Sequence, residues 1–358
     1  MKVVLLFGGR SAEHEVSILS ARSVAAAAPK RIELTPICIA RDGRFVEPKR
    51  SALILEGKES SAHGHAGFSF ESWVRAENID VVFPLIHGTG GEDGSLQGYL
   101  EIIGVPYAGS GVTASAIAMD KVHMKQAFTA AKLPMADFVA VNEHEWRTER
   151  APLGRAVNNA LRLPYFVKPA NTGSSVGVTK VKNDGDLAAA IEHALRFDEK
   201  VLIERGIDAR ELEVSVLGNE TPEASVPGEI LPGREFYDYA DKYVDNAAQL
   251  VIPAKLAKDK SEELRRLAIT AFKAVGASGF ARVDFFLERG TNRLYVNEIN
   301  TIPGFTNMSM YPKLWEATEL KYPRLIERII ELGLERGRGR AARAESTMRW
   351  FDEVRSLV

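Results

Sequence analysis

The chain has a single cysteine, Cys38, in 358 residues. A disulfide framework and a cysteine zinc site are therefore excluded, and a reducing cytosol is the setting this fits. An excess of one charge is also missing: 46 basic against 48 acidic side chains leave a net charge of −2. That balance argues against a nucleic-acid or membrane-surface role. No apolar run approaches a membrane span. The N-terminal run Val3–Phe7 stops at Gly8-Gly9, too short for the apolar region of a signal peptide. No internal repeat is present, and no G-K-[ST] ending marks a Walker A loop. What remains is an ordinary globular composition, 45% hydrophobic and 26% charged, at a length that suits two or three domains.

Residues 2–7 read as a buried parallel strand followed by a Gly-Gly-Arg-Ser turn. A helix is expected over about 16–28, with Ser11 or Glu13 near its start. Strands near 33–39 and 80–86, with helices between and after them, predict an open α/β sheet. From about 121 the pattern changes to a helix over 121–131 and strands near 138–141, 164–168 and 201–204. A long loop, about 229–250, precedes a helix over 260–276. Boundaries are placed near 120 and 206. The polar stretch Gly57–Gly67 reads as a loop, whose His63-x-His65 pair is either a metal pair or simply solvated. Arg336, Arg338, Arg340 and Arg343 among Gly and Ala read as a frayed basic extension, 336–358, with a short terminal helix.

The most informative segment is Arg282-Val-Asp284 … Asn297-Glu298-Ile-Asn300, two apolar runs around a turn centred on Gly290 and Asn292, the pattern of a β-hairpin. Side chains alternate along a strand, so Arg282 shares a face with Asp284, and Glu298 with Asn300. Val283, Phe285, Val296 and Ile299 are the core candidates. Oxygen ligands on rigid strands suit Mg²⁺ bridging phosphates, and a salt-bridged sheet face is the alternative.

Other segments add to this. Val167-Lys168-Pro-Ala-Asn-Thr-Gly173-Ser174-Ser175-Val176-Gly177 is a strand ending in a lysine, then a Gly/Ser-rich loop. Such loops are either turns or concave anion sites built from backbone N–H groups, and the lysine adds a point charge. Lys121, opening a helix, is a second cation or a solvated side chain. Glu204 ends a short apolar strand and Glu211 follows it, a spacing that suits an adenine edge and ribose hydroxyls but also fits an ordinary strand end. His87-Gly-Thr-Gly-Gly-Glu-Asp-Gly brings backbone close to something at the carboxyl end of the first sheet, where the loop holding Glu13 also lies. The aromatic and charged run Glu235-Phe-Tyr237-Asp-Tyr239-Ala-Asp-Lys242-Tyr243 reads as a lid over a ligand, or as a surface loop pinned by its own aromatics.

In this order the pieces resemble an ATP-grasp enzyme, and more narrowly the D-alanine–D-alanine ligases. The resemblance runs from Val3 to about Trp315. It rests on Gly-Gly-x-Ser-Ala-Glu13, His87-Gly-x-Gly-Gly-Glu-Asp-Gly, Gly109-Ser-Gly-Val … Met-Asp-Lys121, Val-Lys168-Pro, Gly173-Ser174-Ser-Val-Gly, Phe236-Tyr-Asp-Tyr-x-x-Lys242-Tyr243, Asn-Glu298-Ile-Asn300-Thr-x-Pro-Gly304 and Ser309-Met-Tyr-Pro. It implies an α/β fold, α+β in parts: a three-domain ATP-grasp fold with an N-terminal open parallel-sheet domain. The domains would be 1–120, 121–206 and 207–335, with the lid at 229–250.

Carried to matching positions, the resemblance implies the following roles. Lys121 and Lys168 hold phosphates, and the loop of Ser174, Ser175 and Val176 closes over them. Glu204, Arg205 and Ile207 meet adenine, and Glu211 the ribose. Asp284, Glu298 and Asn300 bind two Mg²⁺, for which Mn²⁺ can substitute. Glu13 takes the ammonium of the first D-alanine, with His87 beside it. Lys242, Ser309 and Met310 orient the second. Glu13, Ser174 and Tyr243 form a hydrogen-bonded triad, and Arg282 and the Gly304 N–H stabilise an oxyanion. The implied activity is ATP-dependent joining of two D-alanines through an acyl phosphate, for peptidoglycan precursors, in the cytoplasm, by a homodimer. A D-alanine–D-lactate or D-serine ligase is the alternative, and Tyr243 favours the dipeptide. More distant rivals are an ATP-grasp ligase for other amino acids and a non-catalytic nucleotide-binding protein.

Overall fold

A computed structural model describes residues 1–64, 67–231 and 249–355. The N-terminal part runs β1 (Lys2–Gly8), α1 (His14–Ala27), β2 (Glu33–Ile39), α2 (Pro48–Leu55), α3 (Phe70–Glu77), β3 (Val81–Pro84), α4 (Ser95–Ile102) and α5 (Val112–Met119). Its strands lie side by side in the order β2-β1-β3, all parallel. β1 is buried on both faces, as an unbroken Val-Val-Leu-Leu-Phe run requires. Gly8 must be glycine: its φ is +92°, and a Cβ would stand 2.3 Å from the Ile39 carbonyl. That close turn aims the following loop, with Glu13, at the carboxyl end of the sheet.

The central part runs α6 (Lys121–Ala130), β4 (Phe138–Asn142), α7 (Glu143–Ala160), β5 (Tyr165–Pro169), β6 (Thr179–Val181), α8 (Leu187–Ala194) and β7 (Lys200–Arg205). Its sheet, β4-β7-β5-β6, is antiparallel throughout. On β5, Tyr165 and Val167 are buried against the helices while Phe166 and Lys168 turn to the other face.

The C-terminal part runs β8 (Ala209–Gly218), β9 (Glu223–Ala224), β10 (Gly228–Leu231), β11 (Gln249–Val251), α9 (Lys258–Ala274), β12 (Gly279–Glu288), β13 (Leu294–Asn300), α10 (Met310–Glu316) and α11 (Tyr322–Arg355). The expected loop over 229–250 is corrected at its ends, where β10 and β11 pair antiparallel. The expected hairpin is β12–β13, and it carries a detail that plain alternation misses. Val296 and Glu298 share a parity, yet Asp284 pairs with Glu298 and Phe285 with Val296, so the register shifts by one residue at Asn297. This bulge sends Val296 into the core while Glu298 stays opposite Asp284.

The frayed basic extension is a second correction. α11 is one helix of 34 residues. Its first half buries Leu325, Ile326, Ile329, Ile330 and Leu332 in the same core as Val3, Leu5 and Phe7, so the two ends of the chain share one core. The glycines do not break it, because two of them are contact points. A Cβ on Gly333 would stand 2.8 Å from Ala108, and one on Gly337 2.7 Å from Pro106. Arg336 stacks on Tyr107 at 4.1 Å, and Arg340 pairs with Glu101 at 3.2 Å. Arg and Ala are good helix formers and carry it onward. Among the described residues, no helix is long and apolar enough to cross a membrane.

Candidate active site

A cavity of about 1300 Å³ lies where the three sheets meet. One wall comes from the central part. α6 begins at Asp120, whose side chain caps it by accepting from the Val122 and His123 N–H groups. The helix presents Lys121 to the cavity, where its Nζ donates to the Thr172 carbonyl at 2.6 Å. Burial, and then the nearby Lys168, lower the Lys121 ammonium below its ordinary pKa, against the pull of Glu298.

Lys168 donates to Glu204 Oε2 at 2.7 Å, and Lys125, one helical turn after Lys121, donates to Oε1 at 2.5 Å. Burial alone would raise the Glu204 carboxyl; the two ammonium groups override it and bring it to about 2. Glu204 is 2% exposed. Its carboxylate is thus the shared acceptor of two lysines, and Arg205, Gly206 and Ile207 line the cavity beside it.

After β5 the Gly/Ser-rich segment forms a tight loop. Ser174 and Ser175 adopt left-handed φ of +50° and +60°, and Gly177 +74°. Consecutive non-glycine residues in this region are strained, and such strain clusters at ligand sites. The loop is tied down at its tip: Ser174 Oγ donates to Glu13 Oε1 at 2.5 Å. Glu13 begins α1 without capping it through its side chain, so its carboxylate is directed across the cavity instead. Of this loop, Gly173, Ser174, Ser175 and Val178 line the cavity, while Val176 does not, its N–H bonded to the Gly173 carbonyl.

The opposite wall is the face of β8, β12 and β13. Register lines up side chains in rows across these strands: Glu213, Asp284 and Glu298 in one, Ser215, Arg282 and Asn300 in the next. Adjacent carboxylates repel, and Arg282 answers two of them. It grips Asp284 with two bonds of 2.7 Å and sits 3.1 Å from Glu213. Burial acts against its charge, yet the carboxylates keep it protonated well above its ordinary pKa. Asn300 Nδ2 donates to Asp284 Oδ2 at 3.0 Å, so the three proposed metal ligands adjoin. Among the described residues no three His, Cys, Asp or Glu side chains converge on one point. The set offered is two carboxylates and an amide, all-oxygen donors that fit a hard divalent cation.

His87 closes the inner end. Its Nδ1 donates to the Ile302 carbonyl at 2.8 Å, and its Nε2 meets Ser20 Oγ at 2.9 Å, so it joins the first sheet to the segment after β13. Burial lowers His87, but Glu92 and Glu13 outweigh it and the net shift is upward. Ser309 Oγ accepts from the Thr306 N–H at 3.1 Å, and a Cβ on Gly304 would stand 3.3 Å from it. Met310 reaches the cavity wall but chiefly packs with Ile230 and Leu314. Glu211 lines the cavity beside Phe286, its register partner. Lys242, Tyr243 and His65 lie outside the described residues.

Sequence reading passed over two groups in these walls. Lys125 had a signal, the four-residue spacing from Lys121 that puts both on one helix face. Glu213 had one too, two residues past Glu211 on a strand.

The family profile described as "D-ala D-ala ligase N-terminus" matches residues 2–110, and "D-ala D-ala ligase C-terminus" matches 127–331. The D-alanine–D-alanine ligase of Chlorobaculum tepidum is 47% identical over 354 residues, covering 93% of this chain and 97% of that protein. That of Halothermothrix orenii is 47% identical over 339 residues, covering 94% and 98%. Among solved structures, the D-alanine-D-alanine ligase of Coxiella burnetii superposes with a TM-score of 0.82 at 34% identity, covering 100% of this chain and 99% of that one. The VanG D-Ala:D-Ser ligase of Enterococcus faecalis gives 0.81 at 32% identity, covering 93% and 99%.

Proposed function

Because the chain belongs to the D-alanine–D-alanine ligase family, we propose that it joins two D-alanines at the expense of ATP, in the making of peptidoglycan precursors. The observation that carries this reading is the meeting, in one cavity, of a lysine wall, a carboxylate hairpin and the Glu13–Ser174 link between loop and first sheet.

Lys121, Lys168 and the Ser174–Val178 loop hold the phosphates. Glu204 and the backbone that follows it, Arg205 to Ile207, meet adenine, and Glu211 the ribose. Asp284, Glu298 and Asn300 hold two Mg²⁺, with Mn²⁺ able to substitute; bound there, the metal neutralises phosphate charge. Glu13 takes the ammonium of the first D-alanine beside His87. The first carboxylate attacks the γ-phosphorus, giving an acyl phosphate and ADP, a step that is mostly positioning and charge neutralisation. The amine of the second D-alanine, oriented by Ser309, Met310 and Lys242, attacks the activated carbonyl. Arg282 and the Gly304 N–H stabilise the tetrahedral oxyanion, and phosphate leaves. Tyr243 completes a triad with Glu13 and Ser174. Acyl phosphates hydrolyse in water, which gives the 229–250 segment its task as a lid.

The division near residues 120 and 206, a homodimer and a cytoplasmic setting belong to the same reading. Phosphate release with ATP and D-alanine, set against L-alanine, D-lactate and D-serine, tests it. Release with D-alanine alone as both substrates is the expected outcome; equal or faster release with any of the others overturns it. Light scattering of the purified chain tests the dimer.

A further inference from the structure

Lys125 is 1% exposed, among the most deeply buried charged side chains here, and the reading above gives it no task. It sits on α6 between the core and the cavity wall, its ammonium 2.5 Å from Glu204 Oε1 and 5.7 Å from the centre of the Phe138 ring. Glu204 Oε2 is taken by Lys168, which reaches the cavity. A single lysine against a single carboxylate would make a neutral pair, and a neutral pair offers little to a polyanion. A second ammonium behind the carboxylate changes the sum: Lys125, Lys168 and Glu204 together carry one net positive charge, with Lys168 at the cavity end, where Glu298 and Glu211 also act on it.

We infer that Lys125 is a positioning residue for nucleotide binding: it shares Glu204 with Lys168, so that Lys168 is held in place without being neutralised. The proposal rests on the reading of this cavity as an ATP site. It is electrostatic, so a structural role for Lys125, merely pinning α6 to β7, predicts different results. Lys125→Met removes the hidden ammonium and leaves Lys168 and Glu204 as a closed pair. Lys125→Arg keeps the charge.

The test is calorimetric binding of ATP with Mg²⁺ to the full chain, followed by steady-state kinetics. Lys125→Met is expected to bind ATP at least about tenfold more weakly, ~1.4 kcal/mol of lost attraction. Lys125→Arg should stay within about threefold of the parent, and kcat at saturating ATP should change less than about threefold in both. Added salt should weaken ATP binding less steeply in Lys125→Met than in the parent, since one fewer buried cation faces the phosphates.

ATP binding by Lys125→Met within about twofold of the parent overturns the inference, and so does an Arg variant as weak as the Met variant. An equal rise in the KM for D-alanine and for ATP also overturns it, because loosened packing moves both. If Lys125→Met melts early, the same titration well below its midpoint reads the folded fraction and decides equally. A parent that takes up no ATP would sink the nucleotide reading itself, a result distinct from any of these.

Discussion

The two walls of the cavity carry opposite charge and neutralise it by different devices. On the central wall, two lysines from two elements share one buried acid, and a third, Lys121, ends on the Thr172 carbonyl. On the hairpin wall, a row of carboxylates faces one guanidinium, which forks onto Asp284 and leans on Glu213. The walls also act on each other, since Glu298 pulls on both Lys121 and Lys168. The lesson is that neither wall is a stabilising network complete in itself. Opposite charge on the two sides of one cavity fits a ligand that is itself anionic and travels with cations, as a nucleoside triphosphate with magnesium does.

The contrast is open to attack from both sides. The largest effect expected is on the hairpin wall. Arg282→Ala should lower kcat about 10²–10³-fold while calorimetry still registers ATP binding; turnover near that of the parent would remove Arg282 from the chemistry.

On the central wall, Glu204→Gln should lower the unfolding free energy at neutral pH by ~3 kcal/mol, because it leaves two buried ammonium groups without their counter-charge. The sign with pH follows from the shift. Glu204 is held at about 2 against an ordinary 4.5, so its contribution is complete above 4.5 and disappears as pH falls from 4.5 toward 2. Denaturant melts of parent and variant should therefore converge over that window, and a gap that stayed constant would mean the lysines do not set the carboxyl's charge.

Ser174→Ala cuts the bond that joins the central wall's loop to Glu13. A hydrogen bond to a charged group is worth ~1.5–3 kcal/mol, so kcat/KM should fall at least about tenfold. The mildest change is expected where neither wall is touched. Ending the chain after Arg343 removes exposed residues of α11 and should move the melting temperature by less than ~2 °C.

Much of this was legible in the residues. The lysine at the end of β5 and the Gly/Ser run after it sit where a strand-then-loop pattern places them. Asp284, Glu298 and Asn300 share a face. Three features escaped. The bulge at Asn297 exists only in the pairing of β13 with β12, which β13's own alternation does not contain. The long α11 persists because Gly333 and Gly337 rest on Ala108 and Pro106, contacts invisible when glycine is read only as a helix breaker. The sharing of the Glu204 carboxylate by Lys125 and Lys168 is the third, since a strand-end pattern holds no sign of either partner.

The sequence by itself determined which groups are available and in what local order: a lysine before an anion loop, acids on alternate strand positions, a histidine in a glycine-rich turn. Those follow from periodicities that span a few residues. Only the tertiary structure decided how the charges pair. Lys125 meets Glu204 across 79 positions of chain, and Ser174 meets Glu13 across 161. Charges interact through space with a strength set by distance and burial, neither of which local order contains.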